Sequence, residues 1–161
     1  MEMLAWIESI AIARWVVESE SLLALPTVLT LHTMGLAVLV GSAWVLDLRL
    51  LGLWRQIPLA TMRVLYRPIW IGLAINIVTG ILLFMSQATQ RGTSPTFLTK
   101  MFFVACGVST LVLIKRHVYG PAANPENPSG MARGFAIGSL LAWTAAVTAG
   151  RMLGYVFLIE S

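Results

Sequence analysis

Charged side chains are scarce in this 161-residue chain. Lys, Arg, Asp and Glu together make up 11% of the sequence, apolar residues make up 58%, and the mean hydropathy is +0.82. Soluble domains carry about 25% charged and 45–50% apolar residues. The composition therefore excludes a water-soluble globular fold and indicates an integral membrane protein.

Cysteine and the familiar enzyme motifs are also nearly absent. The chain has one cysteine, Cys106, so it forms no internal disulfide. It has no GxSxG sequence, no glycine-rich phosphate loop, no CxxC pair and no HExxH sequence. Nucleophilic hydrolysis, nucleotide chemistry and zinc proteolysis thus lack their usual residues, and whether the protein is an enzyme stays open.

Long apolar stretches are what the sequence has in abundance. Four of them are long enough to span a bilayer as helices, at Leu22–Leu46, Pro68–Ala88, Phe97–Ile114 and Phe135–Ile159. Residues 1–20 combine two tryptophans with five charged residues, a pattern typical of an amphipathic helix lying in the membrane interface. The predicted fold is all-α: an antiparallel four-helix membrane bundle at 21–161, preceded by an interfacial helix.

Basic residues are concentrated on one side of the predicted bundle. Seven of the eleven follow the first or third span: Arg49, Arg55, Arg63, Arg67, Lys115, Arg116 and Arg133. The positive-inside rule makes this side cytoplasmic, so both termini are predicted to be periplasmic or extracellular, in a bacterial inner (plasma) membrane. The basic residues are explained by topology, so the predicted partner is the lipid bilayer and no nucleic-acid partner is expected.

His32 lies within the first predicted span, where lipid cannot satisfy an imidazole. At 1.5 Å per helical residue, Asn76 and Thr79 lie at a similar depth on the second span, and Arg151 lies slightly shallower on the fourth. Lys100 stands at the outer start of the third span. Because ionisable groups inside a membrane face the bundle, these polar side chains are predicted to line a pocket in its outer half.

An imidazole and two cations in an apolar bundle suit b-type haem. His32 would bind the iron, Lys100 and Arg151 would neutralise the propionates, and Asn76 and Thr79 would orient the imidazole. The other histidine, His117, lies roughly 15 Å or more from the level of His32, too far to bind the same iron. The sixth iron position stays open between a methionine, Cys106, water and no ligand.

Other interpretations of the same residues remain. His32 could be a structural histidine that bonds to Thr79 or Asn76 across helices, or a group that handles protons or solutes. Arg151 could extend to the interface, and Lys100 could be an interfacial anchor.

The run TLHTMGLAVLVGSAWVLDLRLLG at Thr30–Gly52 resembles the first core helix of a family of small bacterial four-span membrane proteins of unassigned function, of the DUF6644 type. Three further fragments resemble this family: Asn76–Phe84, Phe97–Lys100 and Ala149–Tyr155. More distantly, the His of the first core helix, the TG pair of the second and the Lys that opens the third are similar to HemJ-type protoporphyrinogen oxidases and CopD-like copper-resistance membrane domains. This resemblance implies haem ligation by His32 and a substrate or propionate contact by Lys100.

Three functions are consistent with these features. The first is a haem-binding redox component that exchanges electrons with a membrane quinone or a partner protein. The second is a non-catalytic accessory or assembly subunit, docked into a larger membrane complex through Gly134/Gly138 and Gly150/Gly154. The third is a small metal or anion permease with a polar path between its helices.

Overall fold

The computed structural model describes residues 2–18, 24–121, 124–125 and 127–160, without the side chains of 17, 18 and 156–160. Its α-helices are α1 (Glu2–Glu8), α2 (Ala11–Glu18), α3 (Leu25–Leu50), α4 (Tyr66–Met85), α5 (Ala88–Gly92), α6 (Pro95–Tyr119) and α7 (Gly130–Glu160). The all-α class is confirmed, because four of the helical segments are long and apolar enough to cross a membrane. The predicted start of the first span, Leu22, lies outside the described residues.

The spanning helices are longer than their apolar cores. Helix α3 continues to Leu50, which is buried in the bundle, and α6 continues past Ile114 to Tyr119. A 3-10 helix at Leu59–Leu65 leads directly into α4, which begins before Pro68. This proline is tolerated because the first turn of a helix leaves its amide groups without intrahelical partners.

The N-terminal segment forms two short helices where one was predicted. The break falls at Ser9 and Ile10, and the Ser9 hydroxyl donates a hydrogen bond to the carbonyl of Trp6 at 2.6 Å. Serine often ends helices in this way, because its hydroxyl competes for backbone acceptors. Helix α1 packs on α5 and α2 packs on α4, so the segment lies along one end of the bundle.

The four spanning helices form an open arc. Helix α3 packs against α4 and α7, and α7 packs against α6. In the described part of the chain the backbones of α4 and α6 stay apart, and the two helices meet through side chains such as Phe84 and Phe97. We call the line along which they meet the α4–α6 seam. We call the end where α3 and α6 finish and α4 and α7 begin the basic end, because it carries the seven cations named above.

Glycine allows α3 and α4 to approach until their backbones touch. A Cβ atom at Gly72 of α4 would lie 2.7 Å from the carbonyl oxygen of Gly35 and 2.9 Å from the amide nitrogen of Leu39, both on α3. Backbone atoms cannot rotate away as a side chain can. Any larger residue at this position must therefore push the two helices apart.

We expect Gly72→Ala to lower the free energy of unfolding by about 1–3 kcal/mol, the usual cost of overpacking. The matched control is Gly134→Ala on α7, where nothing lies within 4 Å of the added Cβ. The control should be neutral or slightly stabilising, since alanine favours helix over glycine. Thermal unfolding in detergent measures both variants. Equal effects of the two substitutions would contradict the close contact.

Candidate functional site

A cavity of about 420 Å³ lies between the spanning helices, at the end opposite the basic end. Most of its lining is apolar, and the polar lining residues with ionisable or amide side chains are His32, Asn76, Arg91 and Lys100. Cofactor and small-molecule sites have volumes of about 300–1,000 Å³ and combine apolar walls with a few polar groups. This His32 cavity is therefore large enough for a ligand.

Thr79 orients the His32 imidazole. The Thr79 hydroxyl donates to the carbonyl of Ile75 at 2.7 Å, and its oxygen lies 2.9 Å from His32 Nδ1. A hydroxyl has one hydrogen, and with that hydrogen given to Ile75 its oxygen accepts from Nδ1–H in the Nδ1-protonated tautomer of His32. Nε2 of the neutral imidazole then carries a lone pair. Gly80 leaves room for the ring, because a Cβ there would lie 3.4 Å from His32 Cε1.

Asn76 lines the same cavity but bonds elsewhere. Its amide Nδ2 donates to the carbonyl of Gly72, one turn earlier in α4, at 3.1 Å. Of the two α4 residues predicted to orient the imidazole, Thr79 has a hydrogen bond with it in the structure, whereas the bond found for Asn76 goes to Gly72.

Lys100 reaches the cavity from α6, one and a half turns after the helix begins at Pro95. Its aliphatic stem passes over Gly150 of α7, where a Cβ would lie 3.4 Å from Lys100 Cε and 3.6 Å from Nζ. The absence of a side chain at Gly150 thus lets the half-buried lysine lie between α6 and α7.

Arg91 is a cation of the cavity for which the sequence predicted no role. It lies on the short helix α5, where the Gln87 side-chain oxygen accepts hydrogen bonds from Arg91 Nε at 3.0 Å and Nη2 at 2.8 Å. Burial lowers the pKa of Arg91 from its ordinary value, but a guanidinium stays charged in proteins. Gln87 and Arg91 are four residues apart in the sequence, and this spacing could have been used to predict their contact.

Arg151 does not line the cavity, so the prediction that it points into the bundle is wrong, and two threonines on the same face of α7 also point outward. Thr144, Thr148 and Arg151 are all exposed. The Arg151 guanidinium lies over the ring of Tyr155, 5.5 Å from its centroid. The opposite face of α7 is buried because Trp143 packs onto Gly107 of α6, where a Cβ would lie 2.7 Å from the indole.

In each of the two glycine pairs of α7, one glycine packs against α6 and the other is open to the surroundings. Gly138 faces Thr110 of α6, with 3.7 Å from its Cβ position to the Thr110 methyl group, and Gly150 faces Lys100. Gly134 and Gly154 have nothing within 4 Å of their Cβ positions. Each predicted docking pair therefore has one glycine already packed within the chain.

The described residues contain no cluster of three or more His, Cys, Asp or Glu side chains that could hold a bare metal ion. Among the cavity's lining residues, Met101 is a sulfur-bearing side chain, whereas Cys106 is not part of the lining. Phe84 and Phe97 stack at the cavity, with ring centroids 5.2 Å apart.

Helix α1 holds α5, and with it Arg91, in place. Glu8 Oε1 accepts hydrogen bonds from the Thr89 amide at 2.8 Å and from the Thr89 hydroxyl at 2.6 Å. These bonds hold the pKa of Glu8 below its ordinary value of 4.5. Leu4 packs beside Gly92, where a Cβ would lie 3.0 Å from it.

These features define the protein as a multi-pass α-helical membrane protein with an apolar cavity between its spans. The chain belongs to the family of unknown function DUF6644, whose family model matches residues 24–156. Comparisons with curated proteins and with solved structures give no match. The family match covers the four spans and carries no functional assignment.

We expect the docking of α1 on α5 to weaken in acid. Because the folded-state pKa of Glu8 is lowered, the stabilisation is present above the ordinary pKa and is lost as the pH falls through the lowered value. The Thr89 amide resonance of isotope-labelled protein in micelles should titrate with an apparent pKa below 4.5. Glu8→Gln should abolish this titration and Glu2→Gln, on the same helix, should keep it. A titration unchanged in Glu8→Gln would contradict the contact.

Proposed function

We propose that the protein binds b-type haem in the His32 cavity and acts as an electron-transfer component of a bacterial inner membrane. The observation that carries the proposal is an imidazole with an available Nε2, in an apolar cavity that also holds two cations. In the proposed orientation the basic end faces the cytoplasm, which places the cavity in the periplasmic half of the bilayer.

A haem site needs few iron ligands from the protein. The porphyrin supplies four nitrogens, so one neutral imidazole is enough for axial ligation. Metal-binding histidines usually donate their other N–H to a neighbouring acceptor, which fixes the ring and its tautomer. The contact between His32 Nδ1 and Thr79 has this form. Of the alternatives for the sixth position, Met101 lines the cavity and Cys106 does not.

Haem propionates are anionic and require positive partners. Lys100 and Arg91 both line the cavity, and they come from α6 and α5 at its outer end. We therefore assign to Arg91 the role that the sequence suggested for Arg151, which lies exposed beside Tyr155.

In the proposed membrane orientation the cavity would open toward the lipid. Three residues of its lining, Ile77 and Ile81 on α4 and Met101 on α6, are each about half exposed, at 53%, 53% and 47%. They lie on the two helices that border the α4–α6 seam. A membrane quinone is therefore the proposed electron partner, ahead of a partner protein that would dock at the aqueous end.

The experiment that tests haem binding is an absorption spectrum of purified protein, taken as isolated and after titration with hemin. We expect a Soret band and a reduced-minus-oxidised b-type spectrum, both lost in His32→Ala because the axial ligand is removed. His117→Ala is the matched control, since His117 is exposed at the basic end and bonds to the carbonyl of Leu113. A protein that takes up no hemin, or His32→Ala protein that keeps the spectrum, would overturn the proposal. The accessory-subunit and permease hypotheses would then be tested by co-purification and by transport in proteoliposomes.

The proposed role of the two cavity cations, Arg91 and Lys100, leads to a second, separate prediction. Arg91→Gln and Lys100→Gln should each weaken hemin binding about ten-fold, because each removes a charged partner of a propionate. Arg151→Gln removes the same charge from the same end of the molecule and should change the dissociation constant less than two-fold. Titration of the three variants with hemin measures this. A loss confined to Arg151→Gln would favour the sequence-based assignment over the one proposed here.

A further inference from the structure

We propose that a cationic groove at the basic end of the α4–α6 seam binds the phosphate of an anionic phospholipid. The groove has a volume of about 400 Å³ and is lined by Arg63, Tyr66, Arg67, Trp70, Ile71 and Lys115. It lies at the opposite end of the seam from the His32 cavity, and the two share no lining residue. This inference therefore does not depend on haem binding.

Three cations converge on the groove from three helices. Arg63 and Arg67 lie four residues apart, on the 3-10 helix and on the first turn of α4. Lys115 comes from the last turns of α6 across the seam, with its Nζ 5.6 Å from the centroid of the Tyr66 ring. Antiparallel helices thus bring the start of one span and the end of another to a single site.

The charges of the groove are not neutralised by the described part of the chain. No acidic residue lines it, and neither Arg63 nor Arg67 makes a hydrogen bond or ion pair to another described residue. All three cations are exposed. The Tyr66 hydroxyl is already used, since it donates to the carbonyl of Leu111 at 3.1 Å. The arginines therefore keep their N–H donors for an anion, and guanidinium groups bind phosphate oxygens in pairs.

The order of residues along the groove matches a phospholipid better than a free anion. The cations lie at the end of the spans, with the buried Tyr66 between the two arginines in the sequence. Trp70 follows as an interfacial aromatic, and Ile71 lies next to it with 58% of its surface exposed. A headgroup phosphate would meet the arginines while the acyl chains lie along the apolar seam. Free phosphate carries negative charge as well, but it would make no contact with the apolar residues of the groove. Basic pockets between spanning helices on the cytoplasmic side are suited to anionic lipids.

Native mass spectrometry of the detergent-solubilised full chain tests this inference. Phosphatidylglycerol and phosphatidylcholine with identical acyl chains are titrated separately. We expect the wild type to bind phosphatidylglycerol more tightly, and Arg63→Gln/Arg67→Gln to weaken that binding about 30-fold, or about five-fold for each cation. Lys115→Gln, on the other side of the seam, should weaken it about five-fold, and it provides a second variant if the double variant does not fold.

The matched control is Arg116→Gln/Arg133→Gln, which removes two exposed cations from the same end of the molecule but outside the groove. It should change phosphatidylglycerol affinity less than two-fold. An equal loss in control and groove variants would show attraction to diffuse surface charge and would overturn the site. Equal affinity of the wild type for the two lipids would do the same. Displacement of phosphatidylglycerol by millimolar inorganic phosphate would identify a free-anion site and overturn the assignment to lipid.

Discussion

The contact between the backbones of α3 and α4 is the constraint on which the site depends. Because neither Gly35 nor Gly72 has a side chain, the two helices approach closely enough for one turn of α3 to rest on one turn of α4. Two turns further along α4, the same proximity places Thr79 Oγ1 within hydrogen-bond distance of His32. Small residues drive such approaches in membranes, where burial of apolar surface supplies no force between helices.

Packing at α7 determines which polar groups reach the interior. Trp143 fills the space above Gly107 and is fully buried, so the rotation of α7 about its axis is set by one large ring. The threonines and Arg151 then face outward, while Gly150 faces Lys100. The polar side chains of α3, α4, α5 and α6 supply the cavity, and α7 contributes apolar residues to it.

The sequence predicted the four long apolar helices, because about 20 consecutive apolar residues leave few alternatives to a membrane helix. It also predicted that Thr79 would lie beside His32, since depth along a helix follows from residue count. The rotation of each helix about its own axis is harder to predict. In a soluble helix polar residues face out, whereas in a membrane helix they face in only if no stronger packing preference opposes them. At Arg151 the packing of Trp143 on Gly107 decided the orientation, and that pairing joins residues 36 positions apart in the sequence.

Arg91 was missed for a different reason. It lies outside every apolar stretch, on a five-residue helix whose position depends on Glu8 and Thr89, residues that are far apart in the chain. Neither hydropathy nor periodicity contains information about such a contact. A short loop helix is placed by what packs on it, so its charged residue could be assigned to the cavity only from the folded chain.

The two ends of the α4–α6 seam pose the same physical problem. Where α4 and α6 border an open cavity or groove, their side chains forfeit dispersion contacts. Cations stand beside the apolar walls of both openings. A molecule with an anionic head and an apolar body would restore these contacts and pair the charges, and both proposed ligands, haem and an anionic phospholipid, are of this kind. What separates the two ends is His32, because an imidazole lone pair can bind iron and a guanidinium cannot. Selectivity between the two classes of ligand would thus rest on one side chain and the threonine that holds its tautomer.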